Sequence, residues 1–252
     1  MVNHQILQTA FAESCRSYWT TRDRQSITGR GEGLAAAVRA GRHFGSLQAL
    51  VESVFIDCGY GERNFLRNRS ATVPGYYRVT KNWDLIVYQD ETLIAALELK
   101  SLGAKSAANN FNNRTEEAIG NATDLRLTHA LTGMYGDLGP WAGFMFLIEE
   151  SVETIYPVGG LPSKWPVDED FLNSSYLKRG EILSWRMLQQ GLYDAVCFVT
   201  SSQNPAQPPC EPIEELSWLN FVEAILARVR EVQAHLSPPG PSTPYGSGRA
   251  LF

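Results

Sequence analysis

Residues 81–117 run KNWDLIVYQDETLIAALELKSLGAKSAANNFNNRTEE, and the architecture follows from their pattern. Two runs rich in β-branched and apolar residues, 83–88 and 92–100, flank a polar bend at Gln89, Asp90 and Glu91. That is the pattern of a hairpin. With the bend centred on Asp90, Asp84 faces Ala96 and stands a diagonal step from Glu98; same-face neighbours at that offset lie about 5 to 8 Å apart. Glu98 and Lys100, two residues apart, point to one face of their strand. Two carboxylates and an ammonium thus converge at the end of the hairpin.

Their surroundings make the convergence informative. Leu93, Ala95, Leu97 and Leu99 predict one apolar strand face, and Ile94 and Ala96 make the other apolar too. A strand apolar on both faces is central and buried, where charges are rarely left unpaired. A structural salt bridge of Lys100 with one acid is the plainest account, and it leaves the second carboxylate unexplained. A divalent cation accounts for both. Mg²⁺ takes one or two carboxylates and keeps several waters, so Asp84, Glu98 and the backbone carbonyl of Leu99 form a candidate ligand set. Such an ion acidifies a water and stabilises charge on a phosphoryl oxygen, with Lys100 placed to orient that water or offset phosphate charge.

Asp84 followed by Glu98-Leu99-Lys100 resembles the PD-(D/E)-x-K signature of metal-dependent nucleases, with Trp83 where that signature has Pro. The wider run is more specific. KNWDLIV, LIAALELKS and NNFNNRTEEAIGNATDL, continuing into PWAGFMFLIEE at 140–150, resemble the XhoI-type family of type II restriction endonucleases. The resemblance implies a PD-(D/E)-x-K core with Asp84, Glu98 and Lys100 as catalytic residues and Mg²⁺ as cofactor. It further implies a homodimer that cuts a palindrome in double-stranded DNA, CTCGAG in this family, in bacterial or archaeal cytoplasm. A cognate DNA methyltransferase would act on the same site without needing to bind this chain. A repair or recombination nuclease acting on ends, flaps or junctions would share the core. It would read structure instead of bases, which the Asn-rich segment disfavours.

A chain of 252 residues accommodates one large α/β domain, expected over 1–236, with a helical part at 1–58, a catalytic core at 59–236 and a Pro/Gly/Ser-rich tail at 237–252. The longest apolar run, Trp141 to Ile148, is far too short to span a bilayer. Four cysteines without C-x-x-C spacing argue against structural zinc. The net charge of −5 conceals an asymmetry. Residues 60–115 hold eight Lys and Arg against five acids, while 136–175 hold one Lys against seven acids. A nucleic-acid face needs local positive charge and not a basic total.

Helical spacing predicts helices over 3–19, 34–57, 180–191 and 213–235, and strands over 141–150 and 195–201. Together with the hairpin these predict a mixed sheet flanked by helices. Residues 20–33 lack a period and are expected as a loop offering Arg22, Arg24 and Arg30 to phosphate. Residues 59–78 are turn-rich and basic, with Arg63, Arg67 and Arg69 expected beside the cleft. Glu52 and Glu62 are candidates for a further acid. Residues 101–114 also lack an evident period and are expected as a loop. Within it, Asn109, Asn110, Asn112 and Asn113 are candidate base readers, since Asn reads adenine bidentately, with Lys105 and Arg114 on phosphates. Asn113 with Glu116 resembles a capping box that would open the next helix.

Overall fold

The hairpin forms, and its second strand is the middle of a five-stranded sheet. The computed structural model describes residues 3–28, 45–160 and 163–236, with backbone alone over 23–28. Strands β1 (Phe65–Arg67), β4 (Leu85–Gln89), β5 (Thr92–Leu102), β6 (Ala142–Glu149) and β7 (Ala195–Ser201) lie side by side in that order. The pairs β1/β4 and β4/β5 are antiparallel, whereas β5/β6 and β6/β7 are parallel. A second, two-stranded sheet pairs β2 (Thr72–Pro74) with β3 (Thr80–Asn82). The segment expected as turns at 59–78 therefore carries two short strands, too brief to show a period of two.

Among the described residues, five helices of more than ten residues cover the two faces. Helices α1 (His4–Thr28), α2 (Gly45–Asp57) and α5 (Trp218–Leu236) bury Phe11, Cys15, Leu47, Phe55, Phe221 and Ile225, their apolar positions three or four apart. They pack on the face formed by Leu85, Ala95, Leu97, Leu99, Met145 and Cys197. Helices α3 (Ala107–Thr132) and α4 (Tyr176–Gln189) cover the opposite face, where Phe111, Ala118, Ala122 and Met187 meet Ile86, Ala96, Phe144 and Phe198. The parallel connections β5–α3–β6 and β6–α4–β7 need such crossovers. No helix among the described residues is long and apolar enough to cross a membrane.

Three expectations are corrected. First, the ladder from β4 to β5 slips between Val87 and Tyr88: Val87 pairs with Ala95, but Tyr88 pairs with Leu93. Ile94 is the extra residue of a bulge. Ile94 and Ala95 thus share one core while Leu93 joins the other, exchanging the faces expected for Leu93 and Ile94. Second, α1 runs on to Thr28, so residues 20–28 are helix and not loop. The Arg22 guanidinium stacks 5.3 Å from the Trp19 ring, and the Arg24 side chain and Arg30 lie outside the described residues. Third, α3 starts at Ala107, six residues before Asn113, and the asparagines sit on a helix. Residues 34–44 of the second expected helix and the 237–252 tail also lie outside the described residues.

Candidate active site

The turn and the bulge together move Asp84 into place: Gln89 pairs with Thr92, one residue beyond a bend centred on Asp90, and the bulge adds a second residue. Leu85 pairs with Leu97 and the Asp84 N–H donates to the Leu97 carbonyl at 3.1 Å, so the next step along both strands sets Asp84 against Glu98 rather than against Ala96. Both side chains lie on the face that α3 covers. Asp84 Oδ2 accepts the Leu99 N–H at 2.7 Å. In an antiparallel ladder the N–H and C=O of one residue point to the same side, so the Leu99 carbonyl faces the same edge, just past the start of β4. Lys100 Nζ touches Glu98 Oε1 and stands 3.8 Å from Asp84 Oδ2.

Two residues that were not singled out in the sequence complete the cluster. Lys81, on β3, places Nζ 3.0 Å from Glu98 Oε2 and 5.4 Å from the Trp83 ring centroid. Asn121, on α3, donates Nδ2 to Glu98 Oε1 at 3.3 Å. A signal for Asn121 exists in hindsight: it interrupts the Ala118–Ala122–Leu125 stripe, and a polar residue at a core-facing position needs a polar partner. Lys81 lies on a three-residue strand of a separate sheet, and only the tertiary fold brings it over Glu98.

Electrostatically the cluster holds two acids and two ammoniums at unequal depth. The Glu98 side chain is 1% exposed, Lys81 and Lys100 are each 17% exposed, and Asp84 is 32% exposed. Glu98 is thus the floor and Asp84 the opening. Burial, and then the charge of Glu98, push the Asp84 carboxyl above its ordinary value, against the pull of Lys100, the Leu99 N–H and Lys81. Burial works against the charged form of Lys100, but Glu98 and Asp84 outweigh it and hold its ammonium above the ordinary lysine range. The donor set fits a hard divalent cation: two carboxylates on adjacent strands, one partly open to solvent, with a backbone carbonyl at the same edge.

The other candidates divide. Asn109, Asn112 and Asn113 are exposed at i, i+3 and i+4 of the first turns of α3, one outward helix face, with Asn110 half-buried. Ser106 occupies the N-cap position, so the expected Asn113–Glu116 cap does not form. Lys105 is exposed in the turn before α3, and Arg114 pairs with Glu117 at 2.7 Å. Glu52 is held by Arg67 Nε and Nη2, both at 2.8 Å, and by Gln48 at 2.9 Å; Glu62 takes Arg67 Nη1 at 2.8 Å. Both carboxylates serve Arg67, and Arg67 serves them. Arg63 stands by Tyr88 and Asp90, at the turn end of the hairpin and not beside Asp84. Arg69 is exposed.

Comparison with known proteins bears on the chain as a whole. A model of the family described as restriction endonuclease XhoI matches residues 24–209. The type II restriction enzyme BstVI of Geobacillus stearothermophilus is 28% identical over 220 residues, covering 84% of this chain and 98% of that protein. The type II restriction enzyme XhoI of Xanthomonas vasicola is 38% identical over 162 residues, covering 63% and 65% of the two chains. AbrI of Azospirillum brasilense, also a type II restriction enzyme, is 51% identical over 84 residues, or 33% and 37%. No solved structure matches significantly. With the family match extending over most of its length and onto both halves of the mixed α/β sheet, the chain belongs to the XhoI restriction endonuclease family of type II site-specific deoxyribonucleases.

Proposed function

We propose that this protein is a Mg²⁺-dependent endonuclease that cuts both strands of a palindromic site in double-stranded DNA, CTCGAG by its family resemblance, and leaves 5′-phosphates. The observation that carries the proposal is the meeting of Asp84, Glu98 and Lys100 at the open end of β5. Asp84, Glu98 and the Leu99 carbonyl would hold the ion, which supplies acidification of a water and charge stabilisation at phosphorus. Lys100, kept protonated by its two acids, would orient the attacking water and offset charge on the phosphate. Attack at phosphorus then breaks the P–O3′ bond. Asp84, the more exposed acid, faces the side from which a phosphodiester would approach.

On the adjoining arm, the exposed Asn109, Asn112 and Asn113 face of α3 would read base edges in the major groove, a groove wide enough for a helix. Lys105 and Arg114 would contact phosphates, which position the duplex without reading it. The folded unit is assigned to 1–236, with 237–252 as an appended tail, and the working compartment to the cytoplasm. One Asp84–Glu98–Lys100 set attacks one strand at a time, so a palindrome calls for two chains related by the two-fold axis of the DNA.

Digesting a plasmid of known sequence in Mg²⁺ and sequencing the ends tests the reading. Discrete double-strand cuts at one palindrome, with 5′-phosphates and none in EDTA, support it; full activity in EDTA overturns the metal assignment. Mixing wild type with Lys100→Ala chains should give nicked intermediates. Concerted double-strand breaks from a complex holding one chain per duplex would rule out the dimer.

A further inference from the structure

The connection between β2 and β3 reads Gly75-Tyr76-Tyr77-Arg78-Val79, and it is built unlike an ordinary surface turn. Its side chains point outward: Tyr76 is 53% exposed, Tyr77 70% and Val79 90%, with the two rings edge to face at 5.0 Å. Its backbone is clamped from beneath. Asp124 of α3, 1% exposed, accepts the N–H groups of both Tyr76 and Tyr77 at 2.8 Å on Oδ1 and binds Arg78 Nε at 2.8 Å on Oδ2. The approach is so close that a Cβ on Gly75 would lie 2.4 Å from Asp124 Oδ2. Tyr135 adds a second anchor, its hydroxyl donating to the Pro74 carbonyl at 2.6 Å.

A carboxylate buried to that degree demands full pairing, and here every partner lies in the turn. The fold thus uses a buried charge to hold a wet, apolar tip. Exposed apolar groups concentrated in one patch mark contact sites. The same clamp continues into the candidate active site. Arg78 Nη1 donates to Asn121 Oδ1 at 3.2 Å, and Asn121 Nδ2 donates to Glu98 at 3.3 Å. Lys81, four residues beyond Tyr77, also binds Glu98. The tip is therefore placed relative to the carboxylates by two routes, through Arg78, which pairs with Asp124, and through Lys81, which pairs with Glu98.

We infer that the Tyr76–Tyr77 tip is a DNA-contacting probe that packs its ring faces into a groove or base step of the duplex whose backbone lies over Asp84 and Glu98. The inference rests on the nuclease reading. DNA is the occupant because the tip is tied, through Arg78 and Asn121 and through Lys81, to the carboxylate cluster proposed to cut it. Rings inserted at a base step are a recurrent means of gripping and bending a duplex, and ring–base stacking requires no particular sequence.

The test is anisotropy of a labelled duplex carrying the site mapped by plasmid digestion, with Ca²⁺ in place of Mg²⁺ to permit binding without cutting. Tyr76→Ala/Tyr77→Ala should weaken binding at least about tenfold, while Tyr76→Phe/Tyr77→Phe stays within about twofold, because the rings and not the hydroxyls make the contact. Thermal midpoints of both should match wild type, since the rings are exposed. An alanine double variant that binds within about twofold of wild type overturns the proposal, as does a phenylalanine variant as weak as the alanine one. If wild type cuts in Mg²⁺ while the alanine variant binds normally, the tip inference falls and the nuclease reading stands. A wild type that neither binds nor cuts any duplex brings down both.

Discussion

Two buried charges meet along strand β5, Arg228 of α5 against its start and Glu98 past its middle, and the two are built on opposite principles. At its start, Arg228 of α5, 5% exposed, donates to the carbonyls of Ile94 at 3.1 Å, Leu93 at 3.4 Å and Gly139 at 2.6 Å, and pairs with Glu231 at 2.7 Å. Four residues beyond Ile94, Glu98 has two flexible lysines, one amide and a second acid nearby. The Arg228 fork is planar, and its main partners are backbone carbonyls that cannot move away. Glu98 is held by point charges on long stems and faces a like charge across the ladder. The first arrangement is saturated and closed; the second is compensated and exchangeable. A buried charge alone does not mark an active site, whereas a buried charge with movable partners and a repelling neighbour is the pattern from which pKa shifts and metal sites arise.

The comparison can be broken most severely at Glu98. Asp84→Ala, Glu98→Ala and Lys100→Ala should each lower single-turnover cleavage by several orders of magnitude with circular dichroism unchanged. The Asp84→Ala/Glu98→Ala double variant should lose little more than either single one, because ligands of one ion act as a unit. Near-wild-type cutting by any of the three would remove it from the site.

The Arg228 side should respond in stability instead. Arg228→Ala strands several buried carbonyls, at a cost of about 3 kcal/mol or more. Urea denaturation should show this, with the cleavage rate per folded molecule unaltered. An unchanged midpoint would show that the Arg228 network contributes nothing.

Next to the catalytic cluster, Asn109→Ala, Asn112→Ala and Asn113→Ala should each weaken site-specific binding by about 1 to 3 kcal/mol and relax one position of the site. Being exposed, they should leave stability within about 0.5 kcal/mol. Unchanged affinity and preference in all three would mean that this helix face is not the reader.

The smallest effect sharpens the contrast. Since burial and Glu98 hold the Asp84 carboxyl above its ordinary 3.8, ionised Asp84 destabilises the metal-free chain, so Asp84→Asn should raise the melting temperature in EDTA while abolishing cleavage. The sign follows from linkage: a raised carboxyl costs nothing below its unfolded value, the cost grows as pH rises from that value to the folded one, and it is complete above. The gain should therefore be present at neutral pH and vanish in acid below about 3.9. A lower melting temperature at neutral pH would mean that the attraction of Lys100 outweighs burial there.

The amino-acid sequence by itself determined the hairpin, the helices on either side of the sheet, the strands at 141–150 and 195–201, and the association of Asp84 with Glu98 and Lys100. These follow from periods of 2 and 3.6 and from spacing along one strand, which are local quantities. The same local reading failed for the first turns of α3. Ala107 and Phe111 continue the buried stripe of Ala118 and Ala122, but they give little contrast against four asparagines, and a loop was expected up to a helix opening at Asn113. Only the tertiary structure decided the register. A turn that pairs Gln89 with Thr92 and a bulge at Ile94 each shift the ladder by one residue and together bring Asp84 opposite Glu98; the bulge depends on how Leu93 and Ile94 pack into two different cores. Nor could spacing place Lys81 or Asn121 over Glu98, or gather Glu52, Glu62 and Arg67 into a network of their own. Those contacts join separate sheets and helices, and their geometry is set by packing, on which short-range sequence pattern has no purchase.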